Sequence, residues 1–328
     1  MNAVPMELVC PAGTPAALDA AIEAGADAVY FGFRDRTNAR NFPGLNFSPK
    51  ELAEGIETCN ARGARPMIAI NTYPDASDDS LWRRNVDICA EAGAGAVILC
   101  DMGLAGYATK RHPDLRLHLS VQASASNAPS VQFYRDAFNI RRVVLPRVMT
   151  VEQIAALTAA VPDVETEVFV FGGLCVMAEG RCSMSGYATG ISPNKDGACS
   201  PASHVRYEEQ GEIMTSRLGN FTLNRFGAGE AAGYPTPCKG RYRVQGREMH
   251  LFEDPCSLDA TSLLPDFARA GVTALKVEGR QRGKAYVAQV VKSLKAAIAG
   301  QTATDPTATR RFMEAGGATT GVYSGAWH

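Results

Sequence analysis

Residues 166–183 read Thr-Glu-Val-Phe-Val-Phe-Gly-Gly-Leu-Cys-Val-Met-Ala-Glu-Gly-Arg-Cys-Ser. A β-branched and aromatic run stops at a Gly-Gly pair and passes into a loop carrying Cys175 and Cys182. A short apolar run of this kind suits a parallel strand buried on both faces. The run Thr166–Gly172 has seven counterparts: Glu7–Cys10, Ala28–Phe33, Met67–Tyr73, Ala96–Asp101, Leu117–Ser124, Arg142–Arg147 and Ala274–Arg280. Helical segments lie between them, over Pro15–Ala26, Ser48 to about Arg62, Ser77–Ala94, Leu104–His112, Asn127–Phe138, Thr150–Ala160, Ser257–Ala270 and Ala285–Gly300. Ser48-Pro-Lys-Glu51 and Thr150-Val-Glu-Gln153 read as capping boxes, the first with proline at the opening helical position. Several helices end in Ala-Gly-Ala or Ala-Gly-Val, where glycine stops the helix before the next strand. Eight βα units predict an α/β fold, a TIM-barrel-like (β/α)8 barrel. An open doubly wound sheet is the alternative, weakened by the lack of a Gly-x-Gly-x-x-Gly fingerprint after the first strand.

One connection breaks the pattern. About eighty residues separate the seventh strand from the helix expected at Ser257, where βα loops ordinarily run two to six. The expected organisation is therefore barrel strands one to seven over residues 1–173, an insertion over 174–256, barrel completion over 257–300 and a C-terminal tail over 301–328. Strand-like pieces at Ser203–Glu208 and Ile213–Leu218 lie inside the insertion. The Thr-, Ala- and Gly-rich tail is expected to be poorly ordered.

Four of the nine cysteines fall in this insertion, at 175, 182, 199 and 238, among Gly, Pro and Ser. The intervening gaps of 6, 16 and 38 residues match neither the short knuckles of structural zinc nor the common ferredoxin spacings. Thiolates select zinc, Cu(I) or iron–sulfur centres. No histidine lies within four residues of any of the four, which suits a [4Fe–4S] cluster. A structural zinc and four unrelated packing cysteines stay open as alternatives. The insertion leaves the carboxyl end of a strand, so it sits over the face that carries barrel active sites.

Polar residues recur at that face: Asn38 and Arg40 after the second strand, then Asn71, Gln122, Arg147, Glu278 and Arg280 at strand ends. Arginine binds carboxylates in bidentate fashion, so this set predicts a mouth for a small anion. Arginines bracing loops through carboxylates are the bland reading. No catalytic residue can be named from the sequence. There is no Gly-x-Ser-x-Gly elbow or His-Glu-x-x-His helix.

The remaining features set bounds. The formal net charge is −1, from 33 basic and 34 acidic residues, which disfavours a general polyanion binder, DNA included. Residues 1–15 show no secretory signal, and no apolar run is long enough for a transmembrane helix. An odd cysteine count, with Cys59 in a helix, points to a reduced cytoplasmic setting.

The segment Phe171-Gly-Gly-Leu-Cys175-x6-Cys182-Ser-Met-Ser resembles the signature of the collagenase-like U32 peptidase family. The likeness extends through Glu7–Gly13, Asn38–Phe47, Ser120–Ser124, Arg142–Arg147, Gly197–Pro201, Gly233–Tyr242 and Lys276–Arg282. These segments look like the ubiquinone-biosynthesis members of the family. That resemblance implies a [4Fe–4S] cluster on Cys175, Cys182, Cys199 and Cys238. It implies an enzyme that hydroxylates the aromatic ring of ubiquinone precursors without oxygen, as a heterodimer with a second, UbiV-like member. It further implies prephenate, or a similar small anion, as oxygen donor. The ubiquinone precursor is lipophilic and is expected to be presented by a lipid-binding accessory protein. An RNA-base hydroxylase of the same family and a metal-dependent peptidase are the alternatives.

Overall fold

The computed structural model describes residues 6–230, 232–301, 308–314 and 317–325. Eight parallel strands close into a barrel: β1 (Glu7–Pro11), β2 (Ala28–Gly32), β3 (Arg65–Ile70), β4 (Ala96–Leu99), β5 (Leu117–Leu119), β6 (Ile140–Val144), β7 (Glu165–Gly173) and, later in the chain, β14 (Ala274–Val277). Neighbours pair in sequence order, and β14 closes the ring against β1 and β7. The helices are α1 (Pro15–Glu23), α2 (Pro49–Ala61), α3 (Ser80–Glu91), α4 (Met102–Arg111), α5 (Ala128–Phe138) and α6 (Val151–Ala160), with α8 (Leu264–Arg269) and α9 (Lys284–Ile298) completing the turn. Both capping boxes form as expected, at Ser48 with Glu51 and at Thr150 with Gln153.

The strands divide two cores. The larger lies between strands and helices and includes Leu8, Phe31, Ile68, Trp82, Val97 and Val290. The smaller lies inside the barrel: Val9, Ala28, Tyr30, Met67, Ala96, Ile98 and Ala274. Ionic side chains pack next to this inner cluster. Arg142 reaches Glu7, Glu165 and Glu167 at 2.5, 2.6 and 3.0 Å, and Lys276 donates to Glu167 at 2.6 Å. Such a network specifies geometry more than it adds stability, because each ion gives up hydration.

The chain after β7 departs from a plain barrel. A short helix α7 (Met184–Thr189) is followed by an antiparallel sheet of β8 (Val205–Gln210), β9 (Ile213–Leu218) and β10 (Phe221–Phe226). A hairpin of β11 (Arg241–Val244) and β12 (Arg247–His250) comes next. The expected helix Ser257–Ala270 is corrected. Ser257–Asp259 is a strand, β13, antiparallel to the end of β7. The Asp259 carboxylate then takes the Thr261 amide, and the helix starts at Leu264 with Pro265 in its first turn. The expectation of a poorly ordered tail is corrected for residues 308–314 and 317–325; residues 302–307, 315–316 and 326–328 lie outside the described set. Strand β15 (Ala318–Thr319) pairs with β13, and the Tyr323 hydroxyl donates to the buried Phe169 carbonyl at 3.0 Å.

Two loops of the insertion lie directly on the barrel mouth. Gly180 has φ +84°, and a Cβ there would overlap the Gln122 carbonyl oxygen. Gly197 has φ +85° and faces the Asn38 carbonyl in the same way. Both positions need glycine for conformation and for close approach. Gly180→Ala is expected to lower stability by about 1–3 kcal/mol or more, seen as a lower thermal midpoint with faster proteolysis inside the insertion. An unchanged midpoint would contradict this packing.

Candidate functional site

A cavity opens at the carboxyl ends of the strands. It is lined by Arg40, Asn71, Gln122, Arg147, Glu278 and Arg280, all expected from the sequence, and also by Tyr30, Phe169, Glu179 and Lys276. Asn38 stands behind the lining. Its side-chain amide donates to the Phe33 carbonyl at 3.1 Å and to Asn46 at 2.8 Å, and its Oδ1 accepts from Arg280. The free space is about 50 Å³, comparable to a few water positions.

The cations of the cavity differ in their partners. Arg40 faces Glu278 at 3.5 Å. Arg147 pairs with Glu179 at 2.8 Å, donates to the Gly173 carbonyl, and lies 4.0 Å over the Phe169 ring. Lys276 pairs with Glu167 and sits 3.9 Å over the Tyr30 ring. Arg280 has no carboxylate within ion-pair distance among the described residues; it contacts Asn38 and lies 5.5 Å over Tyr30. Burial accordingly lowers its guanidinium pKa to about 10, the Tyr30 phenol and Glu278 opposing. A buried cation without a counter-ion is costly, which makes Arg280 the group in this cavity that calls for an anion. Burial would raise the Glu278 carboxyl, but Arg40 and Arg147 outweigh it and hold the group below the usual range.

Further polar atoms are left unmatched here. Gln122 Oε1 and Glu179 Oε2 are buried without a partner among the described residues. Asn71 is engaged, accepting from the Ala39 amide at 3.0 Å and donating to Ser120 at 3.3 Å. No histidine lines the cavity. His118 lies deeper, where burial and then Arg142 and Arg116 push its pKa well down, so it is neutral.

Loops from the insertion carry the four cysteines, two of which, Cys175 and Cys199, lie within electrostatic reach of Arg40 in the cavity. Cys175 follows β7 directly, and the next turn is pinned by Glu179 on Arg147 and by Ser124 donating to the Glu179 carbonyl. The Asn194 side chain donates to the Cys182 carbonyl at 3.1 Å, and the Tyr73 amide donates to the Asn194 carbonyl at 3.4 Å. Beside Cys238, Lys239 donates to the Cys256 carbonyl and to Glu314, both at 2.7 Å. All four are free thiols. Burial pushes Cys175 and Cys238 up to about 12, and Cys199 adds repulsion to both; burial and Cys199 raise Cys182 also. Cys199 thus lies within electrostatic reach of the other three. Arg40 lies within reach of Cys199 and Cys175, linking the thiols to the cavity. Among the described residues no three His, Cys, Asp or Glu side chains gather closely enough for a single metal ion.

Lys276 is legible in the sequence, because strand alternation puts it on the same face as Glu278, and both line the cavity. Tyr30, Phe169 and Glu179 carried no local signal. The first two look like ordinary strand residues, and Glu179 gains meaning only through Arg147.

Comparison with known proteins places this architecture. The model of "Peptidase family U32" matches residues 13–317. The chain is 31% identical over 312 residues to "tRNA hydroxylation protein P" of Escherichia coli (strain K12), covering 89% of this chain and 67% of that protein. It is 30% identical over 291 residues to "23S rRNA 5-hydroxycytidine C2501 synthase" of the same strain, covering 87% and 38%. It is 28% identical over 316 residues to "Collagenase" of Porphyromonas gingivalis, covering 91% and 66%. The chain therefore spans about two thirds or less of the length of these relatives. With a family match over nearly the whole barrel and its insertion, the chain belongs to peptidase family U32.

Proposed function

We propose that this chain is the iron–sulfur subunit of an oxygen-independent hydroxylase that acts on the aromatic ring of a ubiquinone precursor. The observation that supports the reading is that Cys199 lies within electrostatic reach of Cys175, Cys182 and Cys238, while Arg40 of the cavity lies within reach of Cys199 and Cys175. The donor set fits a [4Fe–4S] cluster, because four thiolates repel one another until a cationic centre holds them. Cys175, Cys182, Cys199 and Cys238 would hold it, and it would supply one-electron chemistry or a Lewis-acid iron at the cavity rim. The chain's own residues do the rest. Arg280 takes one carboxylate of an anionic oxygen donor such as prephenate, of which the space of about 50 Å³ admits only one arm. Gln122 offers its unpartnered oxygen to a donor hydroxyl. Phe169 and Tyr30 give the pocket apolar and aromatic walls.

In this reading the chain resembles UbiU-like proteins and pairs with a UbiV-like subunit. The near-neutral charge favours a quinone precursor over RNA. A second reading, hydroxylation of an RNA base, rests on the names of the relatives in Escherichia coli.

One experiment separates the two. Cells lacking the gene are grown without oxygen, and their quinones and RNA nucleosides are measured by mass spectrometry. Accumulation of a precursor lacking one ring hydroxyl, with unchanged hydroxylated nucleosides, is the expected result. Loss of a hydroxylated nucleoside with a normal quinone pool would assign the RNA reading and refute the first.

A further inference from the structure

Lys276 stands at the junction of the cavity and the ionic network, and neither the fold nor the hydroxylation reading requires an amine there. It lines the cavity, and only 5% of its surface is exposed. Its Nζ donates to Glu167 at 2.6 Å and rests 3.9 Å above the Tyr30 ring.

Charge counting in the network is informative. Arg65 pairs with Glu7; Arg116 pairs with Glu165; Arg142 pairs with Glu7, Glu165 and Glu167. Three guanidinium groups already balance three carboxylates. A charged Lys276 is a fourth cation, so the network is neutral when this amine has lost its proton. Burial lowers its pKa; Glu167 opposes the fall, and Arg280 and Arg142 add to it. Amines in such settings, desolvated and beside other cations, are the ones that act as nucleophiles.

The cavity also selects the electrophile. Arg280, the cation that lacks a carboxylate partner, lies against the same Tyr30 ring at 5.5 Å. Both residues line the cavity, so a small ligand held by its carboxylate on Arg280 shares that space with Lys276. The space of about 50 Å³ suits a molecule of a few heavy atoms. In a 2-oxo acid the carbonyl carbon is bonded directly to the carboxylate, which meets both demands.

We propose that Lys276 condenses with the carbonyl group of a small 2-oxo acid bound in this cavity. The electron pair of the neutral Nζ attacks the carbonyl carbon, and the carbonyl electron pair moves to oxygen. One Nζ proton passes through the Glu167 carboxylate to that oxygen, giving a hydroxyl. The second Nζ proton follows the same route to the hydroxyl, which leaves as water while C=N forms. Amine and ketone become imine and water, with no oxidant or reductant consumed. The step needs neither the cluster nor a second subunit, and it shares only Arg280 and the cavity with the hydroxylation reading.

The test uses the full chain as purified, with its iron content measured. Pyruvate is the probe, and sodium cyanoborohydride traps any imine. Intact mass and peptide mapping should show one reduced adduct per chain, on the peptide that carries Lys276. Acetone, which has the ketone without the carboxylate, should label that peptide at least tenfold less. Lys276→Met, checked by thermal midpoint, should give no site-specific adduct. Label spread over exposed lysines such as Lys50, with none on Lys276, would overturn the proposal. So would equal labelling of Lys276 by acetone. The wild-type peptide map decides the matter even where the variant fails to fold. An adduct on Lys276 in protein free of iron would leave this inference standing and count only against the cluster.

Discussion

On the proposed reading, Cys199→Ala is expected to strip the protein of bound iron and to reduce ring hydroxylation to background. Cys199 is the exposed member of the quartet and the one whose charge reaches Cys175, Cys182 and Cys238 together. Removing it takes away one ligand and leaves three thiols whose burial opposes ionisation. Anaerobically prepared wild-type protein should carry about four iron and four sulfide per chain. The variant should carry little of either and should lack the visible absorption of the wild type. Cys89→Ala is the control. That thiol is buried on α3 among apolar side chains, so its loss should cost packing and leave iron unchanged. Wild-type iron in Cys199→Ala, or stoichiometric zinc without sulfide in the parent, would exclude the cluster assignment.

Much of the barrel was legible because its strands are buried on both faces. Residues 28–32 and 274–277 have no exposed member, and that demand writes an unbroken apolar run into the sequence. The region 257–270 was misread for the converse reason. Leu264 and Phe267 carry the three-residue spacing of a helix, and nothing in the residues just before them marks a separate strand. The pairing of Leu258 with Gly172 is a long-range choice that no local pattern records. The tail failed similarly: its Tyr323 is almost fully buried, yet it is one aromatic in a polar, small-residue stretch.

The site divides along the same line. Topology alone puts the ends of parallel strands around one mouth, so Arg40, Asn71, Gln122, Arg147, Glu278 and Arg280 could be grouped before any contact was known. Their partners could not be read. Whether an arginine binds a ligand or braces a loop depends on where a distant carboxylate lands, as Glu179 does beside Arg147.

That distinction gives the two arginines opposite behaviour on substitution. Arg147→Met is expected to destabilise the protein by about 3–5 kcal/mol, the cost of leaving a buried partner charge unpaired. Arg147 and Glu179 are both nearly inaccessible to solvent, and Arg147 also satisfies the Gly173 carbonyl just before Cys175. Its loss frees the turn that carries the first thiol. The thermal midpoint should fall, and bound iron should become labile to chelators. Arg280→Gln should behave otherwise. No carboxylate depends on Arg280 among the described residues, and its burial is costly, so stability should hold or rise and iron should be retained. Affinity for an anionic donor should instead fall roughly ten- to a hundredfold, as expected for one charge-assisted hydrogen bond of about 1.5–3 kcal/mol. Denaturation, chelator-release kinetics and a prephenate titration on both variants check the pair. If Arg147→Met keeps its midpoint while losing the donor, or Arg280→Gln unfolds while binding it normally, the division between brace and ligand site is reversed.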